Sequence, residues 1–188
     1  MFFGLIAAGK SSLAAAWAQQ SGFVWLNSDR VRKDLAGLPP RASRLESVDQ
    51  GIYSQEFTRR TYDALLEQGA GEIRASRSVV LDASYQSMAE RQRVRDLAGR
   101  LGVRVCFILC VCPESEMERR MAERARDPLA VSDGRWEIYL RQKERFEAPT
   151  ELSTAELITI NTEQPVTELL PLLKKRIEVL TCTLECMS

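Results

Sequence analysis

Gly4-Leu5-Ile6-Ala7-Ala8-Gly9-Lys10-Ser11 carries the spacing G-x4-G-K-S, that of a phosphate-binding loop. Each residue type has a task in such a loop. The two glycines let the backbone curl until its N–H groups face a β-phosphate. Lys10 reaches β- and γ-phosphate oxygens, and the Ser11 hydroxyl coordinates Mg²⁺. A helix starting near Lys10 turns its positive end toward the same anions. The alternative is a glycine-rich turn that only caps a helix. Alanine at position 7 fits the loop if its φ is negative. Only Met1-Phe2-Phe3 precede Gly4, whereas a strand commonly runs to ~5–6 residues. Either the start lies further upstream or the sheet tolerates a short central strand.

Downstream of the loop, apolar runs at 23–26, 78–82, 103–112 and 157–160 alternate with segments of helical period. The runs are apolar throughout, as in parallel strands covered on both faces. Helices are expected from Lys10 through Leu13 and Trp17, and over about 53–68, 113–125, 134–146 and 166–180. Another is expected where Val94, Leu97, Ala98 and Leu101 repeat at i, i+3, i+4 and i+7. Strand–helix alternation predicts βαβ units and a three-layer αβα fold around a parallel sheet. The stretches 37–50, with Pro39-Pro40, and 127–133, with Asp127-Pro128, break the pattern and read as loops. One domain over 1–180 is expected, followed by a tail, 181–188, that shows no pattern.

Composition narrows the chemistry. The 188 residues include 26 Lys+Arg and 26 Asp+Glu, a formal net charge of zero. Nonspecific nucleic-acid binding usually brings a basic excess, so a nucleic-acid acceptor is open but not favoured by charge. No apolar run reaches the ~18–20 residues that span a bilayer, and no signal-peptide pattern is present. A cytoplasmic protein without membrane contact is therefore expected. The absence of histidine removes Ser-His-Asp triads, Cys-His pairs and His-zinc sites, so proton transfer falls to Asp, Glu, Lys, Tyr or Cys. Of the five cysteines, Cys106, Cys110 and Cys112 share one face of an apolar strand. They read as small buried hydrophobes in a reducing compartment.

Asn27-Ser28-Asp29-Arg30-Val31-Arg32 follows the second predicted strand, where open parallel sheets place their ligands. Asp29 there can take the proton of a hydroxyl that attacks a γ-phosphate. Arg32 shares its helical face and can hold substrate anions. Alternatively Ser28 or Asp29 caps a short helix over 30–36. Val79-Val80-Leu81-Asp82 ends an apolar run in an acid, the form in which a carboxylate reaches Mg²⁺ or its waters; otherwise Asp82 is a turn residue. Arg119, Arg120, Arg124 and Arg126 gather where a helix gives way to 127–133. On a lid of about 117–135 one of them can neutralise charge on a transferring phosphoryl group. The alternative is a solvated helix face paired with Glu116 and Glu123.

Taken together these residues resemble the P-loop kinases with an AAA-type ATP-binding domain, grouped with polynucleotide kinases and zeta toxins. They are most similar to the module fused behind aminoglycoside-phosphotransferase-like domains in bacteria. The resemblance covers about 4–149 and rests on the loop at 4–12, Asn-Ser-Asp-Arg-Val-Arg-Lys at 27–33, and Tyr53-Ser54 with Thr58 and Tyr62. It also rests on Val-Val-Leu-Asp-Ala-Ser-Tyr at 79–85, Arg91, the arginines at 119–126, Ser132-Asp133, and Gln142 with Phe146-Glu147. It implies a P-loop NTPase fold with a mostly parallel five-stranded sheet and a helical lid. It implies ATP held by Gly4, Ala7, Ala8, Gly9, Lys10, Ser11 and Ser12, with Ser11 and Asp82 at Mg²⁺. It further implies Asp29 as general base, Arg32 as a substrate contact, and one of Arg120, Arg124 or Arg126 on the γ-phosphate. Acceptors vary widely among such relatives, so a hydroxyl-bearing acceptor is implied without its identity. An NTPase with no dedicated acceptor, and a degenerate nucleotide-binding or interaction module, stay open as alternatives.

Overall fold

The computed structural model describes residues 1–39, 51–126 and 136–185; within these, side chains are described except at 53, 124–126 and 181–185. Five strands, β1 Phe2–Phe3, β2 Val24–Asn27, β3 Val79–Asp82, β4 Phe107–Val111 and β5 Leu157–Asn161, form one sheet in the order β2-β3-β1-β4-β5. Every neighbouring pair is parallel. The connections carry the helices α1 Lys10–Ser21, α2 Ser28–Leu35, α3 Gln55–Arg74, α4 Met88–Leu101, α5 Glu114–Arg126, α6 Trp136–Arg145 and α7 Val166–Glu185.

The apolar runs are explained by burial on both faces. Along β4, Ile108 and Cys110 face a core completed by Leu13, Ala14 and Ala18 of α1 and Leu169 and Leu173 of α7. Phe107 faces the opposite core, with Val31 of α2, Tyr62 and Leu65 of α3 and Val94 of α4. The result is the three-layer αβα P-loop NTPase fold. Among the described residues no helix is long and apolar enough to cross a membrane.

The short strand before the phosphate loop is central. Phe2 pairs with Asp82 on one side and Ile108 on the other, and Phe3 pairs with Leu109. Flanking backbone bonds lengthen the ladder: Ile108 N–H to the Met1 carbonyl at 2.8 Å, Ala83 N–H to Phe2 at 3.3 Å, and Gly4 N–H to Ser84 at 3.3 Å. Phe2 and Phe3 are 1% and 0% exposed and enter opposite cores, so two large side chains anchor what two backbone units cannot.

Three boundaries differ from the sequence expectation, the first being α3, which runs six residues beyond the expected 68 to Arg74. The run at 103–112 yields a strand only from Phe107, because Gly102 (φ 65) ends α4 and Val103 N–H returns to the Ala98 carbonyl. Residues 103–106 are spent crossing from the helix to the sheet. At the other end α7 continues to Glu185, taking in 181–185 as helix. Much of the predicted loop at 37–50 and all of 127–133, including Ser132 and Asp133, lie outside the described residues.

Candidate active site

The carboxyl ends of the strands meet at the loop that leaves β1. Gly4 has φ 136 and lies against β4, where a Cβ would run into the Cys110 carbonyl oxygen. Gly9 has φ 72, and a Cβ there would come within 2.9 Å of Thr162 Oγ1 and 3.0 Å of Arg120 Nη1. Both positions therefore need glycine for backbone shape and for space. Ala7 departs from expectation: its φ is 60, not negative. The left-handed region costs an L-residue ~1–2 kcal/mol. Its methyl is buried against Met117 and Met121 of α5 and Tyr139 of α6, which offsets part of that cost.

Within the loop the Leu5 carbonyl accepts from Ala8 N–H at 3.2 Å and from Lys10 Nζ at 3.4 Å. Lys10 thus lies folded along the loop that it would leave for phosphate. The first turn of α1 has no acidic residue to compete with an anion. Ser12 is exposed on that turn, while Ala7 and Ala8 are buried beneath it.

Asp82, fully buried at the end of β3, is the hub. Ser11 Oγ donates to its Oδ1 at 3.2 Å. Its Oδ2 accepts from Asn27 Nδ2 at 2.7 Å and from Trp25 Nε1 at 3.3 Å. Burial pushes the Asp82 pKa up; Lys10, Asn27 and Ser11 oppose that shift and Asp29 adds to it. A hydroxyl and a carboxylate already in register are hard oxygen donors of the kind Mg²⁺ takes. The curled loop, Lys10 and the Ser11–Asp82 pair together fit a Mg²⁺-bound nucleotide.

Asn27 also settles how α2 begins. Its Oδ1 accepts from Asp29 N–H at 3.0 Å and Arg30 N–H at 3.1 Å, so the cap is Asn27 rather than Ser28 or Asp29. The Asp29 carboxylate is not consumed by capping and is half-buried, near the carboxyl end of β2. Arg32 turns inward instead: it is 7% exposed, and its Nη1 donates to the Ile52 carbonyl at 2.7 Å and Thr58 Oγ1 at 3.1 Å. In this conformation it ties α2 to the start of α3.

The loop after β3 completes this side. Tyr62 and Tyr85 stack with centroids 5.0 Å apart, and the Tyr62 hydroxyl lies 2.9 Å from Ser84 Oγ. Tyr85 has φ 42. Its carbonyl and that of Gln86 accept from Arg91 Nη1 at 3.0 and 3.2 Å, while Arg91 is paired with Glu151. Burial raises the pKa of both phenols and lifts the Cys110 thiol to about 12, so none of the three is suited to act as a base near neutrality.

On the opposite side the arginines of α5 separate. Arg119 pairs with Glu116 and Glu123 on the exposed face, and Arg119 first, then Arg120, holds the Glu116 carboxyl down to about 2. Arg120 turns to the loop. Its Nη1 lies 3.3 Å from both the Ala7 carbonyl and Thr162 Oγ1, and its Nη2 donates to the Thr162 carbonyl at 2.5 Å. Arg124 and Arg126 are in the last turns of α5, and their side chains are outside the described residues.

Sequence reasoning missed Trp25, Asn27 as cap and clamp, and Thr162. Thr162 is 3% exposed, and its Oγ1 lies 2.9 Å from the Ala8 carbonyl and 3.3 Å from that of Val111. The available signal was positional: Thr162 directly follows β5, as Asp82 ends β3. Thr162→Val keeps the shape and removes these bonds. It is expected to destabilise the fold by ~1–2 kcal/mol and to weaken nucleotide binding, as read by thermal melting and calorimetry. Unchanged melting and affinity would rule out Thr162 as a support of the loop.

The model of the AAA domain family matches residues 1–149. A gluconokinase from Sinorhizobium meliloti 1021 is similar in structure at a TM-score of 0.67 and 20% identity, over 100% of this chain and 95% of that one. The APS kinase of Mycobacterium tuberculosis, solved with AMPPNP and APS, gives 0.66 at 18% identity over 94% and 95%. The shikimate kinase of Aquifex aeolicus gives 0.60 at 13% identity over 94% of each chain. At these identities the likeness is one of fold. No curated protein matches the chain in sequence.

Proposed function

The chain belongs to the AAA domain family, and from that premise we propose that it is an ATP-dependent kinase that phosphorylates a hydroxyl of a small acceptor. The observation that carries this reading is the meeting of Lys10, Ser11, Asp82 and Asp29 at the carboxyl ends of β1, β2 and β3. In it, residues 4–12 cradle the phosphates, and Ser11 and Asp82 hold Mg²⁺. When bound, Mg²⁺ supplies neutralisation of phosphate charge.

Asp29 takes the proton of the attacking hydroxyl. With histidine absent and the nearby phenols and Cys110 thiol shifted upward, this half-buried carboxylate is the group suited to the role. Lys10 and Arg120 stabilise developing charge from either side of the loop, and Arg124 or Arg126 adds to it from a lid of about 117–135. Arg32 either reaches the acceptor after leaving Ile52 or sets the position of α3 beneath it. The paired β1 supports an intact loop over a degenerate module. Zero net charge favours a small acceptor over a nucleic-acid end, as do the small-molecule kinases among the structural neighbours.

The test is γ-labelled ATP with Mg²⁺ and pooled sugars, sugar acids, nucleosides and 5′-hydroxyl oligonucleotides. Label is expected in one small hydroxylated acceptor. Release of inorganic phosphate alone, at a rate no pool alters, would favour an NTPase without an acceptor.

A further inference from the structure

Asn27 stands where β2 passes into α2 with no residue between them. In the sheet it is the register partner of Asp82, so the two side chains leave adjacent parallel strands on the same face. Asn27 is 8% exposed, and both ends of its amide are used. Oδ1 accepts the N–H groups of Asp29 and Arg30 at 3.0 and 3.1 Å, and Nδ2 donates to Asp82 Oδ2 at 2.7 Å. Backbone N–H groups can only donate, so the amide oxygen must face them and the NH₂ must face the carboxylate. Of the residues that cap helices well, only asparagine carries an acceptor and a donor on separate atoms.

These bonds divide the Asp82 carboxylate. Its Oδ2 accepts from Asn27 and, at 3.3 Å, from Trp25 Nε1. Among the described residues its Oδ1 has the Ser11 hydroxyl alone, at 3.2 Å. The carboxylate cannot exchange its two oxygens without breaking both bonds to Oδ2. The oxygen left beside Ser11 is therefore the one that shares its place with the other oxygen donor assigned to Mg²⁺.

We propose that Asn27, with Trp25 beside it, is a positioning residue that holds Asp82 with Oδ1 turned to the Mg²⁺ site. The inference rests on the reading of Ser11 and Asp82 as Mg²⁺ donors. In this role Asn27 acts through Asp82 and touches neither metal nor nucleotide. Partners of this kind fix the orientation of a metal-binding carboxylate in advance of the ion. The same amide begins the helix that carries Asp29, so one buried side chain sets the register of both acids.

Calorimetry with AMPPNP, in excess Mg²⁺ and in EDTA, on wild type, Asn27→Ser and Trp25→Phe tests this, each protein being checked for a native melt. Asn27→Ser keeps a hydroxyl to cap α2 and loses the amide donor; Trp25→Phe leaves the cap untouched and loses the indole donor. Mg²⁺ is expected to tighten AMPPNP binding by the wild type. In Asn27→Ser that tightening is expected to fall by about tenfold or more, the usual effect of losing an outer partner of a metal ligand, while affinity in EDTA stays within about twofold. In Trp25→Phe it falls by less, because the lost bond is the longer one. Wild-type tightening in a folded Asn27→Ser, whether both affinities hold or both drop together, overturns the inference. Should that variant fail to fold, wild-type tightening in Trp25→Phe overturns it instead. A wild type that binds AMPPNP but gains nothing from Mg²⁺ overturns the metal reading of Ser11 and Asp82, and this inference with it. A wild type that binds no AMPPNP overturns the phosphate-loop reading as well.

Discussion

Asp29→Asn is expected to lower acceptor-dependent turnover by ~10²–10⁴-fold, the usual contribution of a positioned general base, while Mg²⁺-ATP affinity changes by no more than about twofold. The two effects separate because of where α2 is capped. Asn27 Oδ1 takes the Asp29 and Arg30 N–H groups, and those are backbone bonds that the substitution leaves intact. Loss of a true cap would cost ~0.5–2 kcal/mol. Here only the favourable placement of a negative charge in the first turn is lost, a few tenths of a kcal/mol up to ~1. Turnover with the acceptor found by screening, calorimetry and a thermal melt give three independent readings. Wild-type turnover in Asp29→Asn would remove Asp29 from the chemistry. A large loss of stability with residual turnover would make it a structural residue.

Asp82→Asn is expected to stabilise the protein without nucleotide and to abolish its response to Mg²⁺. Burial is the main cause of the raised Asp82 pKa, so ionising it near neutrality costs the folded state more than the unfolded one. The sign follows from that direction. Below the unfolded carboxyl pKa both states are protonated and no penalty exists; as pH rises through the raised folded pKa, stability is lost. An asparagine can satisfy the same partners. Its oxygen accepts from Asn27 and Trp25, and its NH₂ donates to the Ser11 hydroxyl, which can accept. A higher Tm than wild type is expected at neutral pH, and the difference should shrink in acid. The carboxylate proposed to hold Mg²⁺ is gone, so adding Mg²⁺ should no longer tighten nucleotide binding. A variant that melts lower at neutral pH, or still tightens with Mg²⁺, would contradict this account of Asp82.

The fold was legible because its signals are local. The loop at 4–11 names its own β1–loop–α1 context, and apolar runs broken by helical periods place the other strands. The candidate site stands out in the sequence where an acid ends or follows a strand, Asp82 closing β3 and Asp29 two residues past β2. It was opaque where a partner arrives from a distant part of the chain. Thr162 meets Ala8 from 154 residues away, because β4 and β5 are stacked outward from β1, and Gln142 on α6 meets Ile6 from 136.

The adjacent arginines show the same limit at short range. Arg120 is three residues from Met117, whose side chain is buried against the loop, and shares that face, whereas Arg119 is rotated to solvent. Composition treats the two alike. Ala7 was misjudged because an ordinary residue prefers negative φ. The loop imposes a positive one, and the cover supplied by Met117, Met121 and Tyr139 lies more than a hundred residues along the chain.

Residues 4–12 are proposed to hold a Mg²⁺-bound ATP. Calorimetry of Mg²⁺-ATP on the wild type and on Lys10→Ala tests it most directly, since among the described residues Lys10 Nζ hydrogen-bonds to the loop carbonyl of Leu5 alone and its loss should leave the fold intact. Micromolar binding by the wild type is expected, and none by a Lys10→Ala protein that melts normally. A folded wild type that does not bind, or a variant that binds as tightly as wild type, would contradict it.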